Sequence, residues 1–193
     1  MTGTAAPIRP EPLDLSQASL AEIATAVAEK RLPPVEKWNP THCGDSDMRI
    51  AADGTWFHGG TPIGRPALVK LFSTVLRREP DGSHVLVTPY EKLSIAVEDA
   101  AFLAVECTSD GAGRDRTLSF RLLTDDIVIA GPENPMRVKT AADGTPRPYL
   151  AVRGGMEALI NRPVFYQLAD WALAENGLAP GLWSKGRYFA FTD

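Results

Sequence analysis

The sequence predicts an α+β fold built from a strand-hairpin-plus-helix unit that occurs twice. Three observations carry this expectation. Met48-Arg49-Ile50, Ala51-Ala52-Asp53-Gly54-Thr55, Gly59-Gly60 and Ile63-Gly64-Arg65-Pro66 recur in order as Met136-Arg137-Val138, Ala141-Ala142-Asp143-Gly144-Thr145, Gly154-Gly155 and Ile160-Asn161-Arg162-Pro163. The offset grows from 88 residues (49 to 137) to 97 (66 to 163), so short insertions separate the copies. Self-similarity in a fixed order marks one supersecondary unit used twice. Second, each copy reads as a hairpin running into a helix. Third, the apolar period between the copies is two, the period of strands.

The chain is expected to begin with a loose tail over residues 1–15, with Pro7, Pro10 and Pro12. Ser19 and Glu22 form a capping-box pair, and Leu20, Ile23, Ala24 and Val27 make the apolar stripe of a helix that Pro33-Pro34 stops. An N-terminal α+β unit is expected over residues 16–80. In it Met48 to Ala51 and Thr55 to His58 are strands joined at Asp53-Gly54, a strong hairpin signal. Pro66 opens a helix where its missing N–H costs nothing. Leu68, Leu71, Phe72, Val75 and Leu76 then form its buried face, with Arg77 and Arg78 in its last turn. Pro80-Asp81-Gly82 breaks the pattern and is the expected domain boundary, with a second unit over residues 81–193.

From His84 to Ala130 the pattern predicts one antiparallel meander. Leu93, Ile95 and Val97 share a face, as do Leu103, Val105 and Cys107, then Leu118, Phe120 and Leu122, then Ile127 and Ile129. In the second copy, Phe165, Leu168, Ala169 and Ala172 repeat the positions of Leu68, Leu71, Phe72 and Val75 on a helix opened by Pro163. Gly177 suits its C-terminal cap, and Tyr188 to Phe191 suit a last strand.

The bulk composition excludes several functions. A chain of 193 residues, 44% hydrophobic and 23% charged, has the make-up of a globular protein with a real core. Its 20 basic and 24 acidic residues give a net charge of −4, against a non-specific nucleic-acid surface. A small anion needs only a few local cations, and 14 of the 20 are Arg, whose planar fork suits carboxylate or phosphate. Two cysteines, Cys43 and Cys107, make no disulfide framework. No signal peptide or membrane span is visible, so a cytoplasmic protein is expected.

The run Trp38-Asn39-Pro40, His42-Cys43-Gly44-Asp45, Asp47-Met48-Arg49-Ile50, Asp53-Gly54-Thr55-Trp56 and Gly60-Thr61-Pro62-Ile63-Gly64-Arg65 resembles the bacterial DUF1285 family of unknown function. The resemblance extends from about Pro33 to the C-terminus. It implies a duplicated α+β core whose second half is like a pleckstrin-homology fold. It also implies a ligand site where the halves meet, for a nucleotide-based ligand, and a role in signal transduction; it implies no reaction.

Each chemically suggestive group also has a plainer explanation. His42-Cys43-Gly44-Asp45 invites a thiol or metal role, but adjacent residues on an extended segment point to opposite sides, and no ligand spacing is present. A packed loop is the better account, and no metal site or catalytic residue is assigned. Asp45 and Asp47 flank Ser46 on one face; they suit a carboxylate pair, or else bond turn amides or neutralise Arg49. Arg49 and Arg137 are equivalent, as are Arg65 and Arg162. The latter two each precede a helix-opening Pro, where backbone N–H groups favour an anion. The alternative is that each Arg braces its own unit through a salt bridge. Trp56 and His58 alternate with Thr55 and Phe57, one face for the core and the other to stack a base or close a pocket, with core packing the plainer account of Trp56. The loop from Ser109 to Arg116 has glycines and two Arg, but lacks a phosphate-loop context and reads as a hairpin turn.

The expected function is a non-enzymatic small-molecule binding module in bacterial signalling. A small anionic, nucleotide-like ligand would lie in the crevice between the units. Arg49, Arg65 and Arg162 would meet its charge, Trp56 and His58 would line the wall, and Asp45 and Asp47 would fix polar groups. The alternatives are a metal-assisted hydrolase of a phosphorylated small molecule, using Asp45, Asp47 and His58, and a protein-interaction scaffold. No particular cofactor is assigned.

Overall fold

In a computed structural model of the chain, residues 32–176 and 180–191 are described. The expected helix at Ser19 to Val27 and the cap at Gly177 lie outside them. A 3-10 turn at Val35–Lys37 follows Pro33-Pro34. The first sheet comprises β1 (His42–Ile50), β2 (Trp56–His58), β3 (Thr61–Pro62), β4 (Leu76–Arg78), β5 (His84–Val87) and β6 (Glu91–Val97), in spatial order β3-β2-β1-β6-β5-β4. Helix α1 (Pro66–Thr74) connects β3 to β4. The second sheet comprises β7 (Phe102–Asp110), β8 (Thr117–Leu122), β9 (Ile127–Ile129), β10 (Met136–Thr140), β11 (Pro146–Arg153) and β12 (Met156–Ile160), in order β10-β11-β12-β7-β8-β9. Helix α2 (Arg162–Asn176) and a hairpin of β13 (Gly181–Ser184) and β14 (Arg187–Ala190) complete the fold. Strand outweighs helix, within the α+β class.

The repeat is real at the level of local structure. β1-β2-β3-α1 and β10-β11-β12-α2 have the same element order, and their turns have the same hydrogen bonds. Ala51 N–H donates to Thr55 O and Gly54 N–H to Ala51 O, both at 2.9 Å; Ala141, Thr145 and Gly144 repeat both bonds at the same length. Asp53 Oδ1 accepts from Thr55 N–H and Asp143 Oδ1 from Thr145 N–H, each at 2.9 Å. Gly54 and Gly144 have φ of 83° and 80°, a region few side chains tolerate.

What differs is how each unit joins its sheet. β1, the first strand of its unit, pairs parallel with β6, whereas β12, the third strand of its unit, pairs parallel with β7. The duplication therefore specifies a module, and not the whole half around it.

Three sequence expectations are corrected. Helix α1 ends at Thr74, and Arg77 and Arg78 are in β4, not in a last helical turn. The Ser73 and Thr74 hydroxyls bond the carbonyls of Lys70 and Leu71, at 2.8 and 2.7 Å, and the β-branched Thr74-Val75 pair favours strand. Leu68, expected on the buried face, is exposed. Pro80-Asp81-Gly82 is the turn of the β4–β5 hairpin, where Arg78 pairs with His84, so it lies inside the first sheet; the chain changes sheets between Val97 and Phe102. The segment from His84 to Ala130 is thus two pieces of two sheets. Finally, a register shift between Ala104 and Glu106 alters the parity of β7, so Phe102, Ala104 and Cys107 are buried while Leu103 and Val105 are only partly so. On β9, Val128 faces inward and Ile127 and Ile129 are exposed.

Other expected faces hold. Leu118, Phe120 and Leu122 are fully buried, and Phe165, Leu168 and Ala172 bury one side of α2. One apolar cluster runs through both halves, from Trp38 and Ile50 to Leu150 and Phe191.

Candidate functional site

Asp45, Asp47 and Arg49 do come together, on the outward face of the first sheet. With Phe57, Gly60, Ser94 and neighbouring backbone they line a groove of about 460 Å³. A bulge in β1 between Asp45 and Met48 creates it, with Asp47 in the left-handed region at φ 52°. Asp45 Oδ1 accepts from Asp47 N–H at 2.8 Å, and Ser46 Oγ donates to Ser94 O at 2.6 Å. Arg49 lies over the Phe57 ring, 4.1 Å from its centroid, and pairs with Glu98 rather than Asp47.

The second copy repeats this stack. Arg137 lies 4.7 Å over Tyr149, directly opposite it on β11, and its Nε and Nη2 donate to Glu157 at 2.6 and 2.5 Å. The Glu157 hydrogen bonds, against the cost of burial, hold the Arg137 guanidinium above its usual pKa. The recurrent aromatic is therefore Phe57/Tyr149 and not Trp56. Trp56 is 3% exposed and packs on the core face opposite Ile50. His58 is exposed at the end of β2, and neither residue lines the groove.

Arg65 is the N-cap residue of α1 and Arg162 the first residue of α2; both are exposed, and neither belongs to this groove. In the second copy Asn161 Oδ1 accepts from Val164 N–H at 3.0 Å, so a side chain already caps the helix N-terminus where an anion was expected. The α1 N-terminus has no side-chain cap. His42 and Cys43 are exposed on β1. Among the described residues no three His, Cys, Asp or Glu side chains are grouped to hold a metal ion. Burial pushes the Cys107 thiol up to about 12.

A second set of grooves follows the seam between the halves, around the Gly154-Gly155 turn. One, of about 490 Å³, is lined by residues including Glu36, Arg77, Arg78 and Glu79 from the first half and Gly154 and Gly155 from the second. A neighbour of about 240 Å³ shares Arg78 and Gly155 and adds His84, Asp99 and Glu157. A third, also about 240 Å³, is mostly apolar, with Leu32, Pro33, Pro34 and Met156.

The charges along this seam are largely matched. Arg77, only 6% exposed, donates to Val35 O at 2.8 Å and Trp38 O at 2.7 Å, and its Nε donates to Glu79 at 2.7 Å. Lys92 approaches the same Glu79 at 3.6 Å. Asp99 accepts from Arg147 at 2.5 Å and from the Tyr149 hydroxyl at 2.8 Å, and Glu157 holds Arg137. Arg153 closes the seam by donating to Ser73 O at 2.8 Å and lying 4.7 Å over Phe102, and burial pulls its pKa down. Arg78 differs: it is exposed, and its Nη1 donates to a neutral carbonyl, Gly155 O, at 3.2 Å. Beside it His84 is held below the usual histidine pKa, first by burial and then by the Arg78 charge.

Sequence reasoning passed over Arg77, Arg78, His84 and Asp99. The helical apolar pattern takes in the first two, and nothing local in the sequence places Asp99 or Gly155 beside them. A legible signal did exist, since two adjacent Arg in an alternating strand must face opposite ways, one of them inward.

The family description "Domain of unknown function (DUF1285), N-terminal domain" matches residues 33–100, and "Protein of unknown function (DUF1285), C-terminal domain" matches residues 101–191. The division falls where the chain changes sheets. A DUF1285 family protein from Silicibacter pomeroyi DSS-3 is similar in structure at a TM-score of 0.77 and 48% identity, over 89% of this chain and 93% of that one. A second, from Shewanella baltica OS155, is similar at a TM-score of 0.50 and 24% identity, over 64% of this chain and 91% of that one, a likeness of fold alone. No curated protein matches the chain. Among the described residues no helix is long and apolar enough to cross a membrane.

Proposed function

The chain belongs to the DUF1285 family, and from that premise we propose that it is a cytoplasmic, non-enzymatic binding module that takes a small anionic ligand between its halves. The single observation that carries this reading is Arg78. It is an exposed guanidinium between two adjoining seam grooves, bonded to a carbonyl, while three of the four acids lining them, Glu79, Asp99 and Glu157, have cationic partners of their own and, among the described residues, Glu36 alone adds an unpaired negative charge. A planar fork with spare donors at a concave surface suits a phosphate or carboxylate. Grooves of this size suit a nucleotide-like molecule. Rigid-body change between the halves on binding would supply the signalling output. The pleckstrin-homology likeness of the second half draws support from its curled, largely antiparallel sheet followed by α2.

The outward groove on the first sheet suits an anion less well. Its lining carries two carboxylates, Asp45 and Asp47, against one guanidinium that Glu98 already neutralises.

The test is a thermal-shift screen of the full chain against nucleotides, dinucleotides and inorganic phosphate. A ligand at a hundred times its Kd adds about 2.7 kcal/mol, and each kcal/mol raises the melting temperature of a chain this size by about 2–4 °C. Arg78→Gln is expected to abolish the shift and Arg49→Gln to leave it. The reverse pattern would move the site to the first sheet. A flat screen with cooperative melting would favour a protein-interaction scaffold.

A further inference from the structure

We propose that the free edge of β9 is a self-association surface, on which a second copy of this chain pairs antiparallel about a two-fold axis through Val128.

Among the described residues β9 pairs only with β8 and ends the second sheet. Its hydrogen-bond parity is fixed by two bonds to the β8 side. Leu122 N–H donates to Asp126 O at 2.8 Å and Ala130 N–H to Leu118 O at 3.0 Å. In an antiparallel ladder alternate residues face the same neighbour. Asp126, Val128 and Ala130 are therefore spent on β8, and the N–H and C=O groups of Ile127 and Ile129 point to the open edge. These two residues also carry the exposed side chains of the strand, 62% and 43% exposed. Polar edge backbone and apolar side chains on one short strand are a template for another strand, and no Pro or Lys within it blocks pairing.

A second copy fits this edge better than an arbitrary strand. Pairing about Val128 sets Ile127 opposite Ile129 of the other copy and Ile129 opposite its Ile127. Both are hydrogen-bonded pairs, so four backbone bonds form, and the isoleucines meet on one face. Two residues before the strand the chain turns at Asp125, in the left-handed region at φ 65°, and this turn comes alongside Gly131 of the other copy. Asp125 shares the Arg121 guanidinium with Glu106, two carboxylates on one cation, so the turn keeps a net negative charge; a Cβ built on Gly131 would lie 3.2 Å from the Lys185 side chain, so that charge meets a lysine beside the other β9. The two-fold makes this contact twice. A groove of about 370 Å³ lined by Ile129, Gly131, Pro132, Glu133, Asn134 and Lys185 flanks the C-terminal end of β9 and leaves room for the other copy's Asp125 and Ile127 side chains.

The test is sedimentation equilibrium of the full chain from about 1 µM to about 1 mM, the range of weak protein contacts. The weight-average mass is expected to rise from the monomer's towards twice that value. Ile127→Lys, which sets a charge in each apolar pair, is expected to weaken association about thirtyfold, since each substitution counts twice. Ile129→Pro removes an N–H aimed only at the open edge, so it should leave the monomer's melting temperature intact and abolish the dimer. Leu173→Lys, at an exposed position on α2, should behave as the unchanged chain. A monomer at every concentration overturns the proposal, as does a dimer that survives Ile127→Lys and Ile129→Pro. Equal loss in Leu173→Lys also overturns it, because the contact would not be specific to β9.

Discussion

Replacing Arg77 with methionine tests whether a buried guanidinium fastens the segment before β1 to the first sheet. Arg77 reaches three partners: the carbonyls of Val35 and Trp38 at 2.8 and 2.7 Å, and Glu79, with its Nε 2.7 Å from the carboxylate. A hydrogen bond from a charged donor contributes about 1.5–3 kcal/mol, so the two carbonyl bonds together hold roughly 3–6 kcal/mol. Methionine packs along the vacated stem and removes the cost of burying a charge, which returns roughly 1–2 kcal/mol. Glu79 keeps Lys92 at 3.6 Å and is not stranded. The net loss is therefore about 2–4 kcal/mol, or a fall of roughly 6–12 °C in melting temperature for a loss near the middle of that range. Urea unfolding followed by tryptophan fluorescence measures it, with Trp38, 5% exposed, reporting on the anchored segment. Arg77→Lys should recover less than half the loss, because one ammonium cannot span all three acceptors. A loss below about 1 kcal/mol in Arg77→Met would refute the reasoning and show that Val35–Lys37 is held by apolar contacts alone.

Two further outcomes are expected. Gly54 and Gly144 occupy equivalent turns with nearly the same φ, but a Cβ on Gly54 would meet Leu103 Cβ at 3.0 Å and Leu123 Cδ2 at 3.2 Å, whereas one on Gly144 meets nothing within 4 Å. Gly144→Ala should cost about 1–2 kcal/mol from backbone strain alone, and Gly54→Ala roughly 1–3 kcal/mol more from the clash with the second sheet; equal costs in chemical denaturation would contradict the docking of that turn on β7. His84 takes up a proton less readily in the fold than in the unfolded chain, because burial and Arg78 oppose its charge. The stability it contributes is complete above the unfolded value near 6.5 and is lost as the pH falls through the folded pKa. His84→Gln should flatten that acid limb of a melting-temperature profile, and an unchanged profile would assign the limb to other groups.

The sequence alone determined the features whose physics is local. The Asp-Gly turns close through bonds between residues two to four apart, the Gly-Gly turns need positive φ at successive positions, and each helix opens at an Arg-Pro step. All of these recur in both copies because the residues that make them recur. The N-terminal side of the first-sheet groove was legible for the same reason: Asp45, Asp47 and Arg49 lie on one short run of β1. Phe57 was missed in favour of Trp56, because alternation fixes which residues share a face but not which face meets the core. Only the tertiary structure decided that β4, β5 and β6 join the first sheet, since the β1–β6 pairing that closes it links residues nearly fifty positions apart, such as Met48 and Ile95. The seam has the same origin. Arg78 and Gly155, 77 positions apart, meet only once both sheets have formed, so no window of sequence contains these seam grooves and the packing of the two halves creates them.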